Sequence, residues 1–198
     1  MTTLDVYGVA QSRAARVLWM VRELGLDFQH HDIGFRTGET TTPEFLAINP
    51  NARIPAIVDG DLKLWESMAI NLYLARKHGG PLQPATLEDE ARAMQWSFWV
   101  MTEVEKPLLA MLFNRAILPE DQRQADVADC SEQDLQRPLK VLDGEVSKRP
   151  YLLGQDFTVA DLNVASVLTW AKVAKLDLSY YPAIADWLER CTARSAAK

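Results

Sequence analysis

The sequence contains little cysteine and no surplus of basic residues. Only two cysteines, Cys130 and Cys191, occur in 198 residues, and no CxxC spacing is present. A disulfide framework is therefore not indicated, and we expect free, buried thiols in a reducing compartment. The net charge is −6. Because phosphate binding requires a basic face, nucleic acid is not an expected partner.

Long apolar runs are missing as well. No stretch approaches the roughly 18 apolar residues of a membrane span, so we expect no membrane insertion. The first residues, MTTLDVYG, lack the basic and apolar regions of a signal peptide, and the expected location is the cytoplasm. Of three histidines, His30 and His31 are adjacent on a predicted strand. Their side chains would point to opposite faces, and no metal site is indicated.

What the chain does contain is an ordinary globular composition, with 48% hydrophobic and 24% charged residues. Its first part predicts alternating strands and helices. The predicted strands are 4–7, 28–33, 56–58 and 62–64, and the predicted helices are 14–24, 43–46 and 68–77. This order, β-α-β-α-β-β-α, resembles the thioredoxin fold. A helix connects the first two strands, so we expect them to be parallel.

A short linker rich in glycine and proline, GGPLQPAT, covers residues 79–86. Everything after it predicts helix, so the fold class is α/β followed by all-α. We expect a thioredoxin-like domain at 1–80, a linker at 81–87 and an all-helical domain at 88–198.

The second part predicts four helices. The apolar spacing favours long helices over 88–113 and 121–146, and Pro138 should kink or divide the second of them. Thr158 and Asp161 have the spacing of a capping box. The helix that they open, 159–175, is apolar on most sides and is expected to be central. A last helix covers 182–194.

The most informative stretch runs from Asn49 to Tyr73, NPNARIPAIVDGDLKLWESMAINLY. Pro55 stands at the first residue of a predicted strand, one of the few positions at which proline enters a sheet. Glu66 and Ser67 stand where the returning strand becomes a helix. The N–H groups and the dipole of a helix start favour an anion, and a carboxylate favours an ammonium. An α-amino acid group carries both charges and would fit this place.

This stretch resembles the glutathione-binding half of the soluble glutathione transferases, and the resemblance extends over nearly the whole chain. The family pattern is strand, turn, cis-proline, hairpin, and then Glu/Gln-Ser opening a helix. The resemblance implies glutathione as co-substrate, no metal, a small hydrophobic electrophile as second substrate, and a homodimer. The electrophile would lie against the long helix after the linker, where the candidates are Trp96, Trp99, Met101 and Glu103, with Trp170 from a later helix.

Ser12 lies between the first strand and the first helix, and two roles are open to it. From its position alone, capping of the helix is the commoner role. By resemblance to bacterial serine-type members, which are theta- or phi-like, its hydroxyl would donate a hydrogen bond to the glutathione sulfur. Tyr7 is the competing candidate, because other classes use a tyrosine near the end of the first strand. We favour Ser12, since a packed strand residue is the commoner role for Tyr7.

The resemblance also assigns the residues that bind the rest of glutathione. Ser67 would bind the γ-glutamyl carboxylate through its hydroxyl and N–H, and Glu66 would bind the ammonium. Helix capping remains the alternative for both residues. The backbone of Ile54 would pair with the cysteinyl part as an added strand, which requires Pro55 to be cis.

Four arginines are candidates for binding negative charge. Arg53 would reach a carboxylate of glutathione or lie in solvent, and Arg36 would reach the glycine carboxylate. Arg13 and Arg16, in the first turn of the first helix, favour a nearby thiolate or are simply exposed, and exposure is the commoner outcome for such residues.

The function implied by the resemblance is a glutathione transferase, which stabilises the thiolate and adds it to an electrophilic carbon or uses it to reduce a peroxide. A second hypothesis is another glutathione-dependent enzyme on this fold: an isomerase, a dehalogenase or a disulfide reductase. A third is a non-catalytic interaction module. The joint presence of Ser12, Ile54, Pro55, Glu66 and Ser67 favours an enzyme, because a purely structural protein need not keep all five.

Overall fold

The computed structural model describes residues 4–198, and the chain divides into two compact units. Residues 1–3, which begin the stretch that argues against a signal peptide, lie outside the described residues. The N-terminal unit ends at Gln83 and includes Ala196–Lys198, and the C-terminal unit is Pro84–Ser195. The N-terminal unit holds all four strands, whereas the C-terminal unit is helical.

The strands of the N-terminal unit form one mixed sheet. Its order is β2-β1-β3-β4, with β1 parallel to β2 and antiparallel to β3, and β3 antiparallel to β4. The parallel pairing of the first two strands is as predicted. The strands are β1 Leu4–Tyr7, β2 Phe28–His31, β3 Ala56–Asp59 and β4 Leu62–Trp65.

Two helices of this unit, α1 (Ala14–Glu23) and α3 (Ser67–His78), pack against each other and against the sheet. Most of their apolar residues at helical spacing are buried, and so are Val6 of β1 and Ala56 and Ile57 of β3. A short helix, α2 (Pro43–Leu46), is capped by Thr42, whose hydroxyl accepts the Phe45 N–H at 3.3 Å. The order of elements confirms the thioredoxin-like fold.

The predicted and observed strand bounds differ at β2, which ends at His31 rather than at residue 33. The Ile33 N–H turns back to the carbonyl of His31 at 2.9 Å, and this turn ends the strand. The carbonyl of Ile33 still accepts the Val9 N–H at 2.9 Å. The chain therefore stays attached to the loop that follows β1.

The C-terminal unit is built from five α-helices and the tighter or wider helical turns that join them. α4 packs against α7, α5 packs against α6, and α8 packs against both α6 and α7. The helices are α4 Leu87–Trp99, α5 Lys106–Leu112, α6 Ala125–Val146, α7 Val159–Leu168 and α8 Pro182–Thr192.

The long helix predicted over 88–113 is helical throughout but changes its winding. Wider π-type turns, Val100–Glu105 and Phe113–Ile117, lie on either side of α5. Pro107 near the start of α5 has no N–H, and in a regular helix its ring would clash with the carbonyl of Glu103. The first of these turns, Val100–Glu105, lies where this strain would occur, so the proline changes the winding there without ending the helix.

Pro138 does not divide α6, so that part of the prediction is wrong. The helix is continuous through Pro138, which is buried together with Leu135, Leu139 and Leu142. Apolar burial along this face stabilises the helix by more than the lost backbone hydrogen bond destabilises it. α6 starts at Ala125 instead of residue 121, because Glu120–Gln122 forms a short 3-10 turn.

α7 is the central helix of the C-terminal unit, as predicted, and every one of its residues is buried. The predicted capping box is present: the Thr158 hydroxyl accepts a backbone N–H, and the Asp161 carboxylate accepts the Thr158 N–H at 3.1 Å. Asp161 also accepts the N–H of Leu152 at 2.8 Å and the indole N–H of Trp187 at 3.0 Å. One carboxylate thus ties α7 to the preceding turn and to α8.

Both cysteines are free, as predicted, but only Cys191 is buried, whereas Cys130 is exposed on α6. Within residues 4–198, no three His, Cys, Asp or Glu side chains cluster in a way that would hold a metal ion. Of the helices in that range, none combines the length and apolar character needed to cross a membrane.

Candidate active site

The loop between β1 and α1 carries Ser12. Its hydroxyl donates a hydrogen bond to the Val9 carbonyl at 2.7 Å and accepts the Ala14 N–H at 3.0 Å. Ala14 is the first residue of α1, so Ser12 supports the start of this helix. Donation to a ligand atom would require the hydroxyl to rotate away from Val9.

Tyr7, the competing candidate, is packed within the sheet. Its ring stacks on His31 across the parallel strands, with centroids 4.3 Å apart, and meets the ring of Phe45 edge-on at 6.1 Å. Burial, and then the charge of Asp5, raise the pKa of Tyr7. These surroundings match those of a packed strand residue.

Gly8 directly follows the last residue of β1 and was not predicted as a site residue. A Cβ placed there would lie 2.8 Å from the Cβ of Ala14 and 2.9 Å from the Cβ of Ile54, and its φ is +131°. Glycine therefore lets the start of α1 and the loop before β3 approach each other. This contact brings the Ser12 loop and the Ile54 loop together.

Gly8→Ala should lower the free energy of unfolding by about 2–4 kcal/mol, because overpacking adds to the strain of a positive φ. Urea unfolding followed by circular dichroism measures the loss. Gly38→Ala is the matched control, since Gly38 also has a positive φ but a Cβ there would meet nothing within 4 Å. Equal losses in the two variants would contradict the close-approach role of Gly8.

The loop before β3 contains the cis peptide bond predicted between Ile54 and Pro55. Asn49, which is 2% exposed, holds this loop. Its amide donates to the Arg53 carbonyl at 2.6 Å, and its side-chain oxygen accepts the Asn51 N–H at 3.0 Å. Asn49 was not predicted as a site residue. Asparagine side chains commonly hydrogen-bond to the backbone of a turn, so an asparagine just before a proline is the local signal that indicates this role.

Glu66 and Ser67 stand at the start of α3, as predicted. Glu66 is exposed and has φ +73°, a conformation that non-glycine residues rarely adopt. Its side chain does not cap α3. Ser67 is the first residue of the helix and is 4% exposed. The exposed carboxylate of Glu66 therefore stands directly before the N-terminus of α3, on a residue whose backbone is strained.

Arg16 is buried, so the expectation that it is exposed is wrong. It is 1% exposed, and its guanidinium donates to the Ser67 hydroxyl at 3.4 Å. The packing of α1 against α3 explains this burial, and the Asn71 amide of α3 also donates to the Arg16 carbonyl at 3.4 Å. A buried cation beside Ser67 adds positive potential at the start of α3, where a carboxylate would be favoured.

Of the three other arginines of the prediction, Arg13 is half-buried just before α1, whereas Arg53 and Arg36 lie on exposed loops. Arg53 is exposed, while its carbonyl is the group held by Asn49. The guanidinium of Arg36 lies 5.5 Å from the centroid of the Phe35 ring. Among the described residues, neither side chain hydrogen-bonds to Ser12, Glu66 or Ser67.

Of the residues predicted for the second-substrate region, Trp96 and Trp99 lie on α4, Met101 and Glu103 in the π-type turn after it, and Trp170 in the 3-10 turn Thr169–Ala171 after α7. Trp96 is 6% exposed and packs edge-on against Trp99 at 4.9 Å. Glu103 pairs with Arg137 of α6 at 2.6 Å and lines a surface groove together with Lys106 and Pro107. Glu105 is buried.

Together, the mixed sheet, the cis-proline loop and the following helical unit define the class of thioredoxin-fold proteins with a helical C-terminal half. Comparison of the sequence with models of known protein families identifies the chain further. A model described as the glutathione S-transferase N-terminal domain matches residues 2–76, and one described as the glutathione S-transferase C-terminal domain matches residues 104–195. The chain belongs to the glutathione S-transferase family.

Individual relatives agree with this assignment. Glutathione S-transferase 3 of Zea mays is 36% identical, over 99% of this chain and 92% of its own. The disulfide-bond oxidoreductase YfcG of Escherichia coli is 32% identical, over 98% of this chain and 92% of its own. The theta class glutathione S-transferase of Xanthomonas axonopodis pv. citri, solved with glutathione bound, superposes with a TM-score of 0.92 at 26% identity, covering 100% of this chain and 96% of its own.

Proposed function

We propose that this glutathione transferase is a serine-type enzyme with a theta- or phi-like site, in which Ser12 stabilises the glutathione thiolate. The observation that carries the proposal is the start of α3, where buried Ser67 contacts buried Arg16 and follows the exposed carboxylate of Glu66. An anion and an ammonium held side by side are the features of a γ-glutamyl end. The likeness to a theta class enzyme with glutathione bound supports the same subclass.

Glutathione would be held along the N-terminal unit. Ser67 binds the γ-glutamyl carboxylate through its hydroxyl and N–H, and Glu66 binds the ammonium. Ile54 offers its backbone to the cysteinyl part, next to the cis bond to Pro55. The guanidiniums of Arg53 and Arg36 would bind the glycine carboxylate of glutathione. Both side chains are exposed and can move toward it.

The proposed role of Ser12 is to lower the pKa of the bound thiol. A thiol with pKa about 8.5 is only a few per cent ionised at pH 7, and lowering that pKa by about two units takes about 2.7 kcal/mol. A hydrogen bond from the rotated Ser12 hydroxyl, together with the N-terminus of α1, can supply this free energy. The attacking group is the substrate thiolate, so Ser12 itself forms no covalent bond.

The reaction then needs only a second substrate of suitable chemistry. The thiolate sulfur forms a bond to an electrophilic carbon, and the displaced electron pair either leaves with the leaving group or takes up a proton. With a peroxide, the thiolate attacks oxygen and releases an alcohol, and a second glutathione gives water and the disulfide. A small hydrophobic electrophile fits an apolar helical unit.

We extend the proposal to the organisation of the protein. Residues 1–80 form the thioredoxin-like glutathione-binding domain, 81–87 the linker, and 88–198 the all-helical domain that contributes the electrophile site. The active form is a homodimer. The reaction takes place in the cytoplasm, where glutathione and thioredoxin keep thiols such as exposed Cys130 reduced.

Disulfide reduction is the second candidate function. It is favoured by the likeness to YfcG, which is named a disulfide-bond oxidoreductase. The chain itself has no cysteine in the loop around Ser12, so the mixed disulfide would form between glutathione and the substrate. A second glutathione would then attack it and release oxidised glutathione. Parallel assays with an aryl halide and a small disulfide distinguish the two, because only the second reaction yields oxidised glutathione.

Glutathione should bind with micromolar to millimolar affinity, and Ser67→Ala should weaken binding by about 1–3 kcal/mol, because a charged group then lacks a partner. Calorimetry with glutathione and with its S-methyl form measures both. Ser131→Ala, which removes a buried serine from α6, is the control and should bind as the unmodified protein does. If glutathione does not bind, the catalytic function is wrong and an interaction module takes its place. If Ser67→Ala binds normally, Ser67 only stabilises the helix start.

A further inference from the structure

The C-terminal unit contains a cavity that the proposed reaction does not use. Its volume is about 590 Å³, within the range of ordinary small-molecule sites. One wall is α6, and the other is the segment that joins α7 to α8. The lining residues that matter here are Glu132, Asp143 and Gly144 from α6, and Asp177, Tyr180 and Tyr181 from the segment.

Tyr181 is a buried polar group that opens into this cavity. It is 9% exposed, and its hydroxyl makes no hydrogen bond with any residue in the described range 4–198. Burial, followed by the charges of Asp143 and Glu132, raises the pKa of the phenol, so the hydroxyl stays neutral. The hydroxyl oxygen is open to the cavity, so a polar group placed there can replace water as its hydrogen-bond partner.

Two carboxylates face the same space with one oxygen each already engaged. Glu132 accepts from Arg115 through Oε2 at 2.6 Å, and Asp143 accepts the Ile184 N–H through Oδ1 at 3.0 Å. For the other oxygen of each group, the described part of the chain provides no hydrogen bond. These contacts fix the carboxylates in place and leave an acceptor on each for a ligand.

The lining is acidic and aromatic overall. Three carboxylates, Glu132, Asp143 and Asp177, line the cavity with one cation, Lys140, and Arg115 pairs with Glu132, so the carboxylates outnumber the cations by one. Tyr180 is 78% exposed and stands at the rim, where its ring can cover a bound cation. An anion would be repelled, and a neutral ligand would leave the carboxylates without a partner.

Gly144 keeps one wall of the cavity open. It lies inside α6, where glycine is less favourable than alanine, yet a Cβ there would meet nothing within 4 Å. Packing therefore does not require glycine at this position. A larger side chain would instead occupy the cavity.

We propose that this cavity binds a small organic cation, a primary amine carried on an aromatic or apolar body. The ammonium donates to Asp143, Glu132 and the Tyr181 hydroxyl oxygen, and the body lies against the tyrosine rings and the apolar lining of Leu139 and Leu176. This site is independent of the glutathione site, because all its residues belong to the C-terminal unit.

Titration of the full chain with phenethylamine, followed by NMR, tests the proposal. 2-Phenylethanol and 3-phenylpropionate carry the same ring with a neutral and an anionic end. We expect saturable binding of the amine, with affinity for the alcohol and the acid at least about tenfold lower, since hydrogen bonds to charged groups are the stronger ones. Equal binding of amine and alcohol, or no saturation by the amine, would overturn the proposal.

Variants locate the site. Asp143→Asn keeps an oxygen for the Ile184 N–H but removes the charge, and it should weaken amine binding by about tenfold. Gly144→Met should abolish binding by filling the cavity. Asp134→Asn, on α6 but outside this cavity, should leave it unchanged. If Asp143→Asn does not fold, Tyr181→Phe replaces it, since it removes only the hydroxyl. Unchanged amine affinity in folded Asp143→Asn, Gly144→Met or Tyr181→Phe contradicts the assignment.

Discussion

Ser12→Ala should raise the pKa of the thiol of bound glutathione by more than one unit. The proposed hydrogen bond stabilises only the thiolate, so its loss appears directly in the ionisation of the bound thiol. A shift of one unit corresponds to about 1.4 kcal/mol. At pH 7 the turnover of an electrophile should fall in proportion to the lost thiolate, about threefold for a shift of one unit and about 25-fold if the full two units are lost. The ultraviolet absorbance of the thiolate, recorded against pH for the binary complex, measures the shift.

The same variant tests the structural role of Ser12. The Oγ accepts the Ala14 N–H at the start of α1, so its removal should cost about 0.5–2 kcal/mol of stability. Tyr7→Phe is the matched comparison, because it removes the hydroxyl of the competing candidate. A thiol pKa that moves in Tyr7→Phe and stays constant in Ser12→Ala would transfer the thiolate role to Tyr7. A constant pKa in both variants would mean that neither hydroxyl contacts the sulfur.

Asp161→Ala should lower the free energy of unfolding by about 4 kcal/mol, the largest stability effect that we expect from one substitution. The carboxylate of Asp161 is fully buried and accepts hydrogen bonds from the N–H of Leu152, the N–H and hydroxyl of Thr158, and the indole of Trp187. Alanine leaves these donors buried without an acceptor. Burial raises the pKa of the Asp161 carboxyl, and the four donors partly offset that rise. Burying this group destabilises the fold, and the four hydrogen bonds offset that destabilisation.

Guanidinium unfolding followed by circular dichroism measures the effect of Asp161→Ala. Asp156→Ala is the matched control, since Asp156 is an exposed aspartate in the loop just before α7 and should change stability by less than about 0.5 kcal/mol. A loss below about 1 kcal/mol in Asp161→Ala would show that the donors find water instead. The four-way contact would then contribute little to the C-terminal unit.

The sequence predicted the features that depend on neighbours along the chain. The order of strands and helices, the hairpin of β3 and β4 and the capping box of Thr158 and Asp161 arise from contacts over a few residues. Apolar spacing identified α7 as central, because a helix that is apolar on most sides must be buried. The cis bond before Pro55 followed from the family resemblance, and the structure contains it.

The sequence misjudged the features that depend on distant neighbours. Arg16 was expected to be exposed, since most arginines are, but the packing of α1 against α3 encloses it beside Ser67. Pro138 was expected to kink or divide α6, but apolar burial on that face keeps the helix undivided.

By itself, the sequence determined the fold class, the family and the helix start at which glutathione is proposed to bind, because these features are written in local spacing and in one continuous stretch. Only the tertiary structure decided which polar groups are buried and what they contact. Gly8 between Ala14 and Ile54 and Tyr181 in its cavity are not marked by any local pattern. The burial of a polar group depends on residues far away in the chain, and that information exists only after the elements have packed.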